Sequence, residues 1–177
     1  LTMKPSLPAY DRSKLTPGIV HIGLGNFHRA HMAVYLDDLF ARGLGHDWAI
    51  LGAGVREGDA RMRDGLKGQD CLSTIIELDP RGKSARRIGA MIDFLPVQPD
   101  NAALIAAMSD PAIRIVSLTV TEGGYFIDPA TGRFDPRAPE IAADGATPTN
   151  PGTPSGAIVA AHKARRDAGI PAFTVMS

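Results

Sequence analysis

Residues 18–31 read Gly18-Ile19-Val20-His21-Ile22-Gly23-Leu24-Gly25-Asn26-Phe27-His28-Arg29-Ala30-His31. Thr16-Pro17-Gly18 turns the chain into a short apolar strand, Ile19 to Leu24, which carries two glycines at its end. A helical pattern follows from about Arg29 to Arg42. Met32, Tyr35, Leu36, Leu39 and Phe40 fall at i, i+3, i+4, i+7 and i+8, and Gly43 stands at the C-cap. Trp48 to Val55 is a second short apolar strand. Strand, glycines, helix and strand make a βαβ unit, and such a unit has parallel strands.

The glycine turn in that context is the pattern of a dinucleotide-binding site. The first glycine permits the tight turn, and the second lets backbone approach a pyrophosphate. The helix start then offers free N–H groups to negative charge. His28 stands where the third glycine of the fingerprint falls, so the glycines alone leave a plain strand–helix turn open. A ribose-binding acid belongs at the C-terminal end of the second strand. Asp47 precedes that strand, Glu57 follows it, and Asp59 is the reserve. A carboxylate there accepts from ribose hydroxyls and repels a 2′-phosphate, which favours NAD over NADP. Arg56 beside it argues the other way. Glu57 and Asp59 equally suit the start of a solvated helix.

Further along, Leu72 to Leu78 and Arg87 to Leu95 read as strands around the turn Asp79-Pro80-Arg81-Gly82. They predict an antiparallel excursion near residues 70–95. Asp100 can cap a helix with Leu104, Ile105 and Met108 on one face. Ile113 to Thr121 is β-branched and reads as a central strand. Residues 128–154 hold Pro129, Pro136, Pro139, Pro148, Pro151 and Pro154 and read as a surface loop. Ser155 can cap a helix from Ala157 to Ala168, and Phe173 to Met176 is a last strand. The expected fold is α/β and Rossmann-like, a mainly parallel twisted sheet with helices on both faces. Residues 1–16 read as an arm and 17–177 as the domain. A chain finishing on a core strand reads as the first domain of a longer protein.

Nineteen basic and nineteen acidic side chains balance, which argues against a general nucleic-acid or anionic-membrane binder. The 44% of hydrophobic residues excludes wholesale disorder. Cys71 stands alone, so no internal disulfide or cysteine-rich metal site forms. No apolar run approaches the roughly 18 residues of a membrane span. The polar start, Leu1 to Lys14 with Pro5 and Pro8, does not read as a secretory signal. A soluble cytoplasmic protein is the expectation.

The stretch from Gly18 to His31 resembles the opening of the polyol-specific long-chain dehydrogenase/reductase family, whose members include mannitol 2-dehydrogenase and the fructuronate and tagaturonate reductases. Ser117-Leu118-Thr119-Val120-Thr121-Glu122-Gly123-Gly124-Tyr125 resembles a second family stretch, and residues 54–59 and 88–93 resemble lesser ones. The similarity covers nearly all of residues 17–177. It implies an NAD(H)-binding Rossmann-type domain, followed in the family by a helical catalytic domain absent from this chain. The implied reaction is NAD-dependent oxidation of a sugar alcohol to a ketose, mannitol to fructose in type, without a metal. A lysine base and polarising asparagine and histidine lie beyond these residues. On the resemblance, Gly23, Gly25, Asn26 and Phe27 match the phosphate turn and Glu57 the adenosine ribose. Glu122 matches a glutamate that helps pass protons between base and solvent, and Thr121 lies beside the nicotinamide.

Arg29 suits a phosphate or a neighbouring carboxylate. His28 and His31, three apart, lack a third metal ligand nearby. His21 reads as a packed strand histidine, Cys71 as core, and His162 as lying on a solvated or interdomain face. Lys67 and Lys163 sit in polar surroundings unlike those of a base. Glu122 has a second reading, as the cap of the Gly123-Gly124 turn. The expected partner is a small polyol or ketose, and the expected state a monomer or weak dimer. The rival functions are a hexuronate reductase and a non-catalytic NAD-binding module.

Overall fold

The elements of the computed structural model follow in chain order: Pro17–Ile22 (β1), Asn26–Ala30 (α1), Met32–Ala41 (α2), Ala49–Ala53 (β2), Asp59–Gly68 (α3), Ser73–Asp79 (β3), Gly82–Ile88 (β4), Met91–Phe94 (β5), Ala102–Ser109 (α4), Ile115–Leu118 (β6), Ile127–Asp128 (β7), Arg133–Phe134 (β8), Pro139–Ala146 (α5), Pro154–Asp167 (α6) and Thr174–Met176 (β9). Residues 4–177 are described, and of Glu122 only the backbone. Five strands pair in the order β5-β2-β1-β6-β9, every pair parallel. Strands covered on both faces need no polar alternation, and β1 is buried from Gly18 to Ile22. Successive β1 residues serve opposite faces. Ile19 packs with Ala33 and Phe40 of α2 and Leu66 of α3. Val20 and Ile22 pack with Leu104 and Met108 of α4 and Ala157 and Ala161 of α6.

Several local expectations are corrected. The predicted helix from Arg29 to Arg42 is two helices, which start earlier and break at His31, where φ is −122° and ψ −85°. Of the predicted stripe, Met32, Leu36, Leu39 and Phe40 pack against the core, whereas Tyr35 is 68% exposed; Ala33 and Asp37 are buried beside them. The segment from Arg87 to Leu95 is not one strand. Residues 82–88 pair antiparallel with β3, whereas Met91–Phe94 joins the main sheet parallel to β2. The surface loop at 128–154 holds the small β7–β8 hairpin and α5. Thr153, not Ser155, caps α6, its hydroxyl accepting from the Gly156 N–H at 3.0 Å. Asn101 is the N-cap residue of α4, while the Asp100 carboxylate accepts from the Ala102 N–H at 3.2 Å.

The arm docks on the domain. Ser6 donates to the Ala85 carbonyl and accepts from the Arg87 N–H at 3.2 and 2.8 Å. The Arg12 guanidinium donates to the carbonyls of Asp70, Gly89 and Met91 and pairs with the Asp70 carboxylate. On the other face, Arg165 is 3% exposed and donates to the carbonyls of Met108, Asp110, Ile113 and Pro171 at 2.7–3.0 Å. One side chain thereby ties α6 to the turn that feeds β6 and to the segment that feeds β9. Buried acceptors left without a donor cost about 1–3 kcal/mol. We expect Arg165→Met, which keeps most of the stem, to destabilise the protein by at least that amount. Chemical denaturation reads it, and an unchanged midpoint would mean that the four carbonyls find other donors.

Candidate dinucleotide-binding site

The chain leaves β1 toward β2 and leaves β6 toward β9, so the strand order reverses between β1 and β6. Ligands of open α/β sheets bind outside the carboxyl ends of the strands at such a point. A crevice of about 230 Å³ opens there. Its walls are Gly23 to Gly25 after β1, Ala53 to Arg56 after β2, and Thr119 to Thr121 after β6. Gly23 has φ +93°, and a Cβ on it would stand 2.5 Å from the Thr119 carbonyl oxygen, so only glycine fits. Gly25 presents the opposite case. A Cβ there meets no heavy atom within 4 Å, so bare backbone faces open space. That is the surface a pyrophosphate needs for close approach.

The turn is pinned from below. The Gly23 carbonyl accepts from the Gly25 N–H at 2.8 Å and from the Thr119 hydroxyl at 2.7 Å. With that hydroxyl proton directed at Gly23, the Thr119 oxygen accepts from His21 Nε2 at 2.9 Å. His21 is then the Nε2–H tautomer, and its Nδ1 accepts from the Ser117 hydroxyl at 2.7 Å. The reading of His21 as a packed, bonded strand histidine holds. His28 lies flat on it, with ring centroids 3.4 Å apart and planes 14° apart. Burial pushes the His21 pKa down to about 4. Burial first, then the neighbouring His21 and Arg29, push that of His28 down to about 3. His162, by contrast, stacks on Phe173 at 4.0 Å, far from this turn.

The other predicted residues divide. Thr121 lines the crevice with Gly23 and Gly25. Asn26 and Arg29 turn to each other, the guanidinium donating to the Asn26 side-chain oxygen at 2.7 Å. Phe27 is 67% exposed, tilts against His31 at 4.6 Å, and faces a groove of about 460 Å³ that runs between α1 and the end of β9. Glu57 is exposed at the tip of the β2–α3 turn and is not part of the crevice wall. Asp59, the reserve, does line the crevice, but its carboxylate accepts from the N–H groups of Val55 and Arg56 at 2.9 and 3.0 Å. The side chain of Glu122 lies outside the described residues. Sequence reasoning did not single out Ser117 and Thr119, which hold His21. Nor did it find the reach of Arg56, whose guanidinium crosses the crevice mouth to the Thr121 hydroxyl at 3.4 Å.

Both imidazoles hold their protons less tightly in the fold than in the unfolded chain, where histidine titrates near 6.5. The unfolded chain therefore protonates first as pH falls. The stability tied to the neutral pair is whole above about pH 6.5 and drains as pH drops toward about 4 and 3. We expect melting temperature to decline over that window, and His28→Phe, which cannot be protonated, to flatten the decline. Parallel profiles for the two proteins would assign the acid sensitivity elsewhere.

Comparison with known proteins agrees with this geometry. Residues 17–177 match the family described as mannitol dehydrogenase Rossmann domain. The mannitol 2-dehydrogenase of Cereibacter sphaeroides is 70% identical over 177 residues, all of this chain and 37% of that protein. The polyol:NADP oxidoreductase of Gluconobacter oxydans is 46% identical over 173 residues, 96% of this chain and 35% of that one. The solved structure of Pseudomonas fluorescens mannitol 2-dehydrogenase, a ternary complex with NAD and D-mannitol, superposes with a TM-score of 0.92 at 50% identity. It covers 97% of this chain and 35% of its own. The chain thus spans about a third of the length of the relatives it matches. A parallel sheet in this order, a glycine turn bared at its switch point and a match over residues 17–177 together place the chain in the mannitol dehydrogenase Rossmann domain family.

Proposed function

We propose that this chain is the cofactor-binding part of an NAD-dependent polyol dehydrogenase that oxidises a sugar alcohol such as mannitol to its ketose. The observation that carries the reading is the open backbone at Gly25, set in a crevice at the reversal of strand order. Those residues fit a dinucleotide. Gly23 and Gly25 leave room for its phosphates, Thr121 lies on the opposite lip, and Glu57 is the exposed carboxylate nearest the end of β2 for a ribose hydroxyl. The cofactor supplies the hydride acceptor at its nicotinamide ring. The chain's own residues bind and orient. Thr119 and His21 hold the turn, and Asp59 holds the β2–α3 bend that presents Arg56 and Glu57. Glu122 is the proposed proton relay to solvent. The general base and the polarising groups belong to the remainder of a longer enzyme. The mannitol 2-dehydrogenase relative and the solved neighbour in complex with NAD and D-mannitol support this assignment.

A second reading, NADP in place of NAD, has two observations in its favour. The Arg56 guanidinium stands at the crevice mouth beside Glu57, and a relative at 46% identity is named for NADP. The two readings separate on one variant. In the full-length enzyme oxidising D-mannitol, followed by the absorbance of the reduced nicotinamide, wild type prefers NAD. Glu57→Ser is expected to lower the NAD-to-NADP ratio of kcat/KM by about tenfold to a hundredfold, since a charge-assisted hydrogen bond contributes roughly 1.5–3 kcal/mol. A ratio that does not move removes Glu57 from the ribose site. Residues 1–177 alone are expected to form no reduced cofactor, and robust turnover by them would overturn the division of labour.

A further inference from the structure

The helix that opens at the glycine turn is only five residues long, and His28 is its only buried residue. Asn26, Phe27 and Ala30 are exposed, and at His31 the backbone leaves the helical region before α2 begins. A single turn of helix has no stability of its own. Its position over the sheet therefore depends on what that one side chain touches. His28 touches His21, ring on ring, at 3.4 Å. In the usual fingerprint a glycine at this place lets the helix sink onto the strand. Here two flat rings set the separation instead. His28 is 2% exposed, and neither of its ring nitrogens has a hydrogen-bond partner among the described residues. No hydrogen bond therefore competes with the ring face in orienting this side chain. His21, in turn, is bonded to Ser117, Thr119 and the Gly23 carbonyl. A displacement of the His28 ring is passed through His21 to the carbonyl on which the glycine turn closes.

We propose that His28 is a positioning residue for cofactor binding: its stack on His21 fixes the glycine turn, and through the turn sets affinity for the dinucleotide rather than the rate of the chemical step. This rests on the reading of the crevice as a dinucleotide site. A planar ring packs at 3.4 Å, whereas a branched aliphatic side chain packs at about 4 Å. Leucine at this position fills the volume but lifts α1 from β1 by several tenths of an ångström, and binding geometry is sensitive on that scale. Phenylalanine keeps the flat ring and removes both nitrogens.

The test compares wild type, His28→Leu and His28→Phe in the full-length enzyme, by steady-state kinetics with NAD and D-mannitol and by fluorescence titration with NADH. His28→Leu is expected to raise the KM for NAD and the Kd for NADH about tenfold, with kcat at saturating NAD within twofold. His28→Phe is expected to restore both constants to within about twofold of wild type. A circular dichroism spectrum and a melting curve on each variant separate folding from binding. Should His28→Leu not fold, His28→Phe decides: wild-type affinity supports the ring stack. An affinity as poor as that of the leucine variant, or a loss of tenfold or more where no leucine variant folds, assigns the role to the nitrogens and overturns the proposal. Unchanged constants in a folded His28→Leu overturn it as well, as does a loss confined to kcat. Wild type that binds neither NADH nor NADPH overturns instead the dinucleotide reading beneath it.

Discussion

The approach of the end of β1 to the end of β6 leaves no room for a side chain at residue 23. A Cβ there would lie 2.5 Å from the Thr119 carbonyl oxygen, and φ is already +93°. This closeness is what lets one hydroxyl, that of Thr119, cap the Gly23 carbonyl while accepting from His21. The floor of the crevice is thus a hydrogen-bonded junction of two strands rather than a loose loop. Its orientation follows from the sheet. β1 and β6 are in register from Ile19 with Ile115 to Ile22 with Leu118, so Gly23 and Thr119 leave their strands side by side. Moving either strand by one residue would reverse the faces of all its side chains, and His21 would lose Ser117.

Two arginines secure the elements that feed this junction, and they do so in the same way. Arg165 and Arg12 each use the fork of the guanidinium to collect carbonyls from segments distant in sequence. A guanidinium has five N–H donors and accepts nothing, so it suits places where chain ends and turns expose carbonyls without a strand partner. Arg165 holds the entries to β6 and β9. Arg12 holds the end of α3, the exit of the hairpin and the start of β5. In hydropathy both residues look like surface. Their placement explains why the arm is fastened to the domain, and why the helix α6 lies tightly on α4.

The βαβ opening, the parallel sheet and the crevice were legible because they rest on local signals: apolar runs, two glycines and the residues that follow them. What was not legible rests on pairing between distant residues. The buried stripe of α2 is centred on Asp37, which accepts from Tyr10 and from the Gly89 N–H at 2.5 and 2.8 Å and lies 3.7 Å from Arg86. Hydropathy counts an aspartate as outside, so Asp37 is passed over and the exposed Tyr35 is counted in its place. The split between β4 and β5 has the same origin. Ile88 and Met91 read as one apolar run across Gly89, and only the capture of Gly89 by Asp37 and Arg12 shows where the chain leaves one sheet for the other. Pro139 and Pro154 read as loop formers, yet each sits at the start of a helix, where a missing N–H costs nothing. The stack of His28 on His21 was invisible because neither residue signals a partner in sequence.

The two carboxylates after β2 show how structural and recognition tasks separate within one turn. Asp59 is the nearer to the crevice, yet both N–H groups it accepts from belong to the turn itself. Without it, the bend that carries Arg56 and Glu57 would lose the two hydrogen bonds that close it. Glu57 has no such duty and stands exposed, with Arg56 reaching across the crevice beside it. On the dinucleotide reading, the choice between a ribose hydroxyl and a ribose phosphate is therefore made by two side chains that the fold does not need. On that reading a substitution at Glu57 alters cofactor preference while Asp59 keeps the backbone in place. The same substitution at Asp59 would disturb the crevice for either cofactor. If the crevice holds a dinucleotide in this way, selectivity is easier to change than binding itself.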